Sequence, residues 1–579
     1  MKTFRKKLSL WRLGLGLFVG SLPTFAVRPV FGAEHISLSY GVFQQSISIG
    51  ALESYAATGK PNGAFMAFAH FSKPDQLMQL RQILTARVPL DSDKFRQFLH
   101  TAIGEQFVRD LAGLIQSNEP QLSISTLRSA LIRASTEPGG LTLLNVLRQF
   151  PGDSVEIDLA RSLKLIAAWQ TLMNQTSQAI AQVDQKAKLE AATNPLPSPL
   201  PSLDLQYQGS FTWEHQTLTL TDRTRNRTIP VDLYLPLAQT PRPIIVISHG
   251  YGTDRNSLAY LAQHLASYGF VTAIPEHRGS NWQQIRAWLT GETEALTPAR
   301  EFIDRPLDVS YVLDELERLS QPKQRLQGRL NLQQVGVIGQ SFGGYTTLAL
   351  AGATPRFEQH GTYCLDWQDS FNLSLMLQCE AQTLPQLITD RADPTDLADS
   401  RVKAAIAISP VGSQIFGQAS LSQIKIPVLM IAGSADRIAP VLSEQIKPFT
   451  WLTTSHKYLA LIHEGTHFSS IAPAANSEVV PLWGSDPASA RRYVSALSTA
   501  FLQTYVADQP HYRPYLSAAY AATIGQDPLS VSLVRSLSAA SFTPVSHRFP
   551  LTGSLIILGA GTQALGFVYF LKTRNRSVS

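Results

Sequence analysis

Between residues 244 and 462, six short runs are apolar almost without interruption. They are Ile244-Ile-Val-Ile-Ser248, Phe270-Val-Thr-Ala-Ile274, Val335-Gly-Val-Ile338, Ala404-Ala-Ile-Ala-Ile-Ser409, Val428-Leu-Met-Ile431 and Lys457-Tyr-Leu-Ala-Leu-Ile462. A strand with one wet face alternates apolar and polar residues, so runs like these read as strands buried on both faces. Helical stretches such as Ser257 to Ser267 and Arg305 to Leu319 separate most of them. Buried strands alternating with helices specify a mostly parallel sheet flanked by helices. In such sheets the functional crevice lies beyond the carboxyl ends of the strands. Chemistry-bearing residues are therefore sought just after each run.

The chain of 579 residues exceeds one ordinary core. Residues 34–190 read as a small all-helical domain. Ile49 to Ala56 ends at a Gly59 stop, and Pro74 to Leu84 carries Leu77, Leu80, Ile83 and Leu84 on one face. Asp91 or Ser92 caps a stretch running to His100, and Pro138-Gly-Gly140 separates the patterns at Ser125 to Ala134 and Leu141 to Arg148. A Pro-rich linker covers 191–204, and 205–548 follows as one α/β domain. It opens with a hairpin, Thr217 to Leu220 and Ile229 to Leu235, around the polar turn Asp222 to Asn226.

Both ends carry membrane signals. A cationic start up to Arg12, an apolar stretch from Leu13 to about Leu22, and small residues at Ala26 and Ala33 make 1–33 a secretory signal. Phe549 to Leu571 has no charged residue and is long enough to cross a hydrocarbon core. The basic residues Lys572, Arg574 and Arg576 follow it, so 572–579 is expected as a cytoplasmic tail. The body is thus expected to be exported and tethered to a membrane by its tail. In an oxidising compartment Cys364 and Cys379, the two cysteines of the chain, are expected to pair. No metal site is expected, because no His or further Cys stands near them at ligand spacing. A net charge of +6 is mild for this length and is not gathered into a stripe, which argues against a nucleic-acid partner.

The strongest chemical signal is Val337-Ile-Gly339-Gln340-Ser341-Phe342-Gly343-Gly344, an apolar strand running into G-x-S-x-G and then a helix. Gly339 and Gly343 permit the sharp elbow that lifts a serine hydroxyl out of the sheet. A serine needs a base, and the base needs an acid to orient it. Asp436 stands a few residues past the Val428 strand. His467 follows the next strand within Gly465-Thr-His-Phe-Ser469, which gives the order Ser, Asp, His. His463 is the alternative base, and Asp366, Asp369 and Asp393 sit nearer insertions than strand ends. The oxyanion donors are read as the N–H groups of Phe342, after the nucleophile, and Tyr251, in the loop Ser248-His-Gly-Tyr-Gly252. His249 precedes the serine and is assigned to holding its own loop.

Four segments in order, His249-Gly-Tyr-Gly-Thr-Asp-Arg-Asn-Ser257, Leu261 to Phe270, Pro275-Glu-His-Arg-Gly-Ser-Asn281 and Gly339 to Gly344, resemble the plasma and type II platelet-activating-factor acetylhydrolases and their bacterial relatives. The likeness covers roughly 205–470. The helical front end is similar to that of a cyanobacterial group of exported hydrolases whose N-terminal domain has no assigned role. The resemblance implies an α/β-hydrolase fold, a triad of Ser341, Asp436 and His467, no cofactor, and a lipid ester as substrate. Acetylhydrolases of this type lack such a front domain, and an insertion at about 355–400 carries both cysteines over the expected pocket. Competing readings are a carboxylesterase or dienelactone-type hydrolase of small soluble esters, a serine peptidase, and a non-catalytic binding protein that keeps the fold.

Overall fold

The structure is a computed structural model. It describes residues 33–538 except 41–42, 71–73, 88–91, 101, 114–119, 152–153, 198–203, 290–291, 294–296, 358–363, 365–371, 388–395, 473–483 and 526–528. The signal through residue 32, the run Phe549 to Leu571, the basic tail, and Asp366, Asp369 and Asp393 lie outside the described residues. Among the described residues no helix is long and apolar enough to cross a membrane.

The front of the chain is not all helical, which corrects the sequence expectation. Strands β1 (His35–Tyr40) and β2 (Phe43–Ser48) form an antiparallel pair, and β3 (Ser154–Asp158) joins β1 in parallel. Between them lie α1 (Ile49–Thr58), α2 (Gly63–His70), α3 (Pro74–Thr85), α4 (Ser92–Leu99), α5 (Ala102–Ala112), α6 (Pro120–Thr136) and α7 (Leu143–Gln149). Helix α1 starts where the Ser48 side chain accepts the Ala51 N–H at 3.1 Å. It stops at Gly59, whose φ of 73° a residue with a side chain resists. Ala33 is buried and its N–H bonds Phe150 O at 2.8 Å, so it belongs to this folded part.

Helix α8 (Leu159–Thr193) runs three residues into the expected Pro-rich linker. Its Ala179, Val183 and Ala187 are buried in the core of the second, larger sheet rather than in the front domain. Asp184 on the same helix bonds Ser532 Oγ at 2.7 Å. The helix thus fastens the front of the chain to the α/β body.

Among the described residues the large sheet has nine strands. In chain order they are β4 (Trp213–Asp222), β5 (Arg227–Pro236), β6 (Arg242–Ser248), β7 (Val271–Pro275), β8 (Leu330–Gln340), β9 (Val402–Ile408), β10 (Val428–Gly433), β11 (Lys457–Ile462) and β12 (Val531–Val534). Their spatial order is β12-β11-β10-β9-β8-β6-β7-β5-β4. The strands from β6 to β11 are mutually parallel, while β4, β5 and β12 run antiparallel to their neighbours. Every residue of β7 and β10 is buried, whereas the edge strand β4 alternates exposed and buried positions. The period of two sorts the apolar residues onto two faces: Ile244 and Val246 into one core, Ile245 and Ile247 into the other.

Helices α9 (Ala259–Ser267), α17 (Pro487–Tyr505) and α18 (Ala518–Ile524) cover mainly one face. Helices α11 (Glu301–Ser320), α12 (Phe342–Leu350), α15 (Ser413–Leu421) and α16 (Lys447–Trp451) cover the other. Helix α10 (Trp282–Leu289) follows β7, and α13 (Ser374–Glu380) and α14 (Leu384–Leu387) lie in the expected insertion. Because β7 lies on one side of β6 and β8 on the other, the strand order reverses beside β6, the place at the carboxyl edge where sheets of this kind form their functional crevice. This is the α/β-hydrolase architecture.

Candidate active site

Ser341 joins β8 to α12 with φ 56° and ψ −116°, a left-handed conformation that costs a side-chain-bearing residue about 1–3 kcal/mol. Its N–H is held by Ile408 O at 2.9 Å. The neighbours that make the elbow possible are glycines for steric reasons. A Cβ on Gly339 would meet the Gly343 carbonyl, and one on Gly343 would meet the Ser248 carbonyl. The bare backbone at 343 brings the first turn of α12 against the end of β6. The N-terminus of that helix, with its free N–H groups, therefore faces the crevice.

Asp436 and His467 come from loops after β10 and β11. The two loops are laced together: Ser434 N–H donates to Ile462 O, Ala435 N–H to Gly465 O and Glu464 N–H to Ser434 Oγ, each at 2.9 Å. Across this lacing His467 Nδ1 meets Asp436 Oδ2 at 2.7 Å, with both side chains buried. The other carboxylate oxygen of Asp436 accepts the N–H groups of Ile438 at 3.0 Å and Ala439 at 2.8 Å. Gln340, the residue before Ser341, donates its side-chain amide to His467 O at 3.0 Å. That bond ties the histidine loop to the elbow.

His463 is turned the other way. Its Nε2 lies 2.9 Å from Asp184 of α8 and 3.2 Å from Ser532 Oγ. His249 is fully committed to its loop, with Nδ1 bonded to Gly250 O at 2.8 Å and Nε2 accepting the His277 N–H at 3.0 Å. Burial and the nearby Arg305 cation push its pKa down to about 3, so it is a neutral structural imidazole.

Beneath the His249 loop lies a layer of buried charge. Arg225 and Arg227, at the hairpin turn, reach Asp304 and Asp308 of α11, with Arg227 also meeting Glu301 at 2.8 Å. Asp308 holds His277 Nδ1 at 3.1 Å, and His277 Nε2 meets Ser248 Oγ at 3.0 Å. Arg305 closes the layer from α11. Its guanidinium donates to His249 O, to Ser248 Oγ at 3.2 Å, to Ser280 Oγ at 2.8 Å and to Thr346 Oγ1 at 3.3 Å.

The insertion is bonded to the site's surroundings. Cys364 and Cys379 form a disulfide. Ser374 N–H donates to Ile438 O at 2.8 Å, next to Asp436. The buried Glu444 carboxylate accepts from Asn372 at 2.7 Å, Gln378 at 3.0 Å and Ser413 at 2.9 Å, joining α13 to the turn beyond β9. Tyr251, in the loop after β6, is mostly buried. Burial first, and the Glu380 charge second, hold its phenol well above the usual tyrosine range.

Two family models match the chain. Residues 32–158 match "Alpha/beta hydrolase of unknown function (DUF1400)", and residues 210–305 match "Platelet-activating factor acetylhydrolase, isoform II". Among curated proteins, the platelet-activating factor acetylhydrolase of Cavia porcellus is 28% identical over 143 residues, 20% of this chain and 33% of the relative. The Bos taurus protein of the same name is 23% identical over 146 residues, 20% of this chain and 33% of the relative. Two separate segments of the chain are thus similar to α/β hydrolases, the second of them to the platelet-activating factor acetylhydrolases. The chain spans about a third of the length of the curated relatives it matches. The first matched segment ends at the last residue of β3, so the front domain has a family model of its own.

Among the residues expected from sequence, the structure brings Asp436 and His467 together and sets Ser341, Phe342 and the Tyr251 loop at the same carboxyl edge. Sequence reasoning passed over Gln340, Arg305 and Glu444. Gln340 alone carried a signal, as a polar residue just after the apolar run Val335 to Ile338. Arg305 and Glu444 stand in ordinary helical patterns and gave none.

Proposed function

We propose that this protein is a serine carboxylester hydrolase that works through an acyl-enzyme on short-acyl lipid esters. The observation that carries the reading is the 2.7 Å bond between His467 Nδ1 and Asp436, at the carboxyl edge where Ser341 stands on a strained elbow. With Nδ1–H donated to the carboxylate, Nε2 is left unprotonated to serve as base. Ser341 Oγ adds to the ester carbonyl carbon and gives its proton to Nε2. The carbonyl oxygen becomes an oxyanion held by the N–H groups of Tyr251 and Phe342. The C–O bond to the alcohol then breaks, and the alcohol leaves with the proton from Nε2. Water adds to the acyl-enzyme with His467 again taking the proton, and the carboxylic acid departs as Ser341 recovers its hydrogen.

The lipid part of the reading rests on likeness to proteins named platelet-activating factor acetylhydrolase. The same reading takes the body as exported and Phe549 to Leu571 as its tether. Hydrolysis of short-chain phospholipids in vesicles, set against p-nitrophenyl acetate, tests the substrate class. A higher kcat/KM on the vesicles is expected, and a preference for the soluble ester contradicts the lipid assignment. For the tether, the full chain should pellet with membranes and a chain ending before Phe549 should not.

A further inference from the structure

We propose that Arg305 is the positioning residue of the oxyanion hole, holding the Tyr251 loop and the Phe342 turn in register from beneath. The proposal rests on the assignment of those two N–H groups as the oxyanion donors. Arg305 is fully buried, and its contacts fall on both halves of the hole. On one side it donates to His249 O, two residues before Tyr251, and to Ser248 Oγ. On the other its guanidinium carbon lies 4.5 Å over the centre of the Phe342 ring, and Nε donates to Thr346 Oγ1 one turn further along α12. A planar fork with five donors reaches these directions at once, which a lysine ammonium does not.

Its charge also matters. Among the described residues Arg305 has no carboxylate within ion-pair distance. The nearest acids are engaged by other groups: Glu301 by Arg227 and Ser280, Asp308 by Arg225, Arg227 and His277. A buried cation answered by a carbonyl, hydroxyls and an aromatic face is a costly way to brace a loop. It becomes useful where negative charge develops above it, because a fixed cation favours the oxyanion over the neutral carbonyl. Burial lowers its pKa to about 10, with Glu301 and Asp308 opposing the drop, so it is cationic at neutral pH.

The test is kinetic. Arg305→Lys and Arg305→Met are compared with wild type on p-nitrophenyl acetate, at a temperature where circular dichroism shows each folded. The expected result is a fall in kcat of about 10-fold for Lys and about 100-fold for Met, approaching the loss of an oxyanion donor, with KM within threefold. Inhibition by a boronic acid, which forms a tetrahedral anion on the serine, should weaken by the same factors. Ser280→Ala, which releases one guanidinium nitrogen and one carboxylate oxygen of Glu301, keeps the test open should the Met variant fail to fold. It should lower kcat several-fold with KM unchanged. A kcat at the wild-type level in folded variants, or a change in KM alone, overturns the proposal and leaves Arg305 as scaffold. Ester hydrolysis surviving in Ser341→Ala would instead remove the reading beneath it.

Discussion

Replacing Asp436 by Asn tests the catalytic reading through one hydrogen atom. In the native site Oδ1 accepts two backbone N–H groups, at 3.0 and 2.8 Å, while Oδ2 faces His467 Nδ1 at 2.7 Å. An asparagine must put its carbonyl oxygen where the two N–H donors converge. Its NH2 then faces Nδ1 and forces that nitrogen to accept. The ring hydrogen moves to Nε2, and the base is lost. Turning the amide over restores the tautomer but sets the NH2 against two N–H groups, leaving two buried donors unsatisfied at about 1–3 kcal/mol each. That escape costs about 2–6 kcal/mol, or about 30-fold to 10⁴-fold in rate at 1.36 kcal/mol per decade. The upper end agrees with the loss of about 10⁴ produced by a wrong histidine tautomer in triad hydrolases. Steady-state kcat on p-nitrophenyl acetate reads it, with the melting temperature as a check on folding. A variant within tenfold of wild type refutes the assignment of His467 and Asp436 as base and acid.

Three further outcomes follow from the same structure. Burial lowers the pKa of His249 to about 3 and of His264 to about 4, and holds His277 well below its ordinary value. Depressed folded pKa values leave these groups neutral in the fold while the unfolded chain protonates near pH 6.5, so stability is complete above that pH and lost as pH falls below it. Each contributes up to about 1.4 kcal/mol per pH unit; urea midpoints should drop between pH 7.5 and 5, and flat midpoints would contradict the buried neutral histidines. Cys379→Ser opens a loop closed across 15 residues and should cost about 3 kcal/mol in denaturant unfolding. An unchanged midpoint would show that the bond constrains little. Asp184→Ala removes the partner of His463 and Ser532, and should lower stability by about 1 kcal/mol while kcat stays within twofold. A large loss of kcat would mean that His463 takes part in catalysis.

The parts legible in the sequence are those whose burial is encoded locally. Strands β6 to β11 are apolar on both faces, so each announces itself without its neighbours. The elbow is written in Gly339, Ser341 and Gly343 because a Cβ has no room there. The three-stranded sheet at the front was missed although Ile36 and Leu38 in β1 and Val155 and Ile157 in β3 alternate with polar residues, because runs of six and five residues are short and β1 is completed by β3 from more than a hundred residues away. Strand β12, four residues long, was too short to stand out. The turn Asp222 to Asn226 reads as polar and solvated. Its Arg225 is instead largely buried against acids of α11, about eighty residues on, and composition cannot reveal a partner found only by folding. Arg305 was hidden for the same reason. Helix α8 reads as a front-domain helix, yet its Ala179, Val183 and Ala187 pack on the other domain, since small apolar residues on a helix do not name their partner.

Covalent labelling asks whether Ser341 is an activated nucleophile. A fluorophosphonate probe is added to the full chain, and the labelled peptide is located by mass spectrometry. One stoichiometric adduct is expected, on Ser341, lost in Ser341→Ala together with ester hydrolysis, and slowed at least tenfold in Asp436→Asn. An unlabelled Ser341 in folded protein, or hydrolysis that survives its replacement by alanine, would contradict that role.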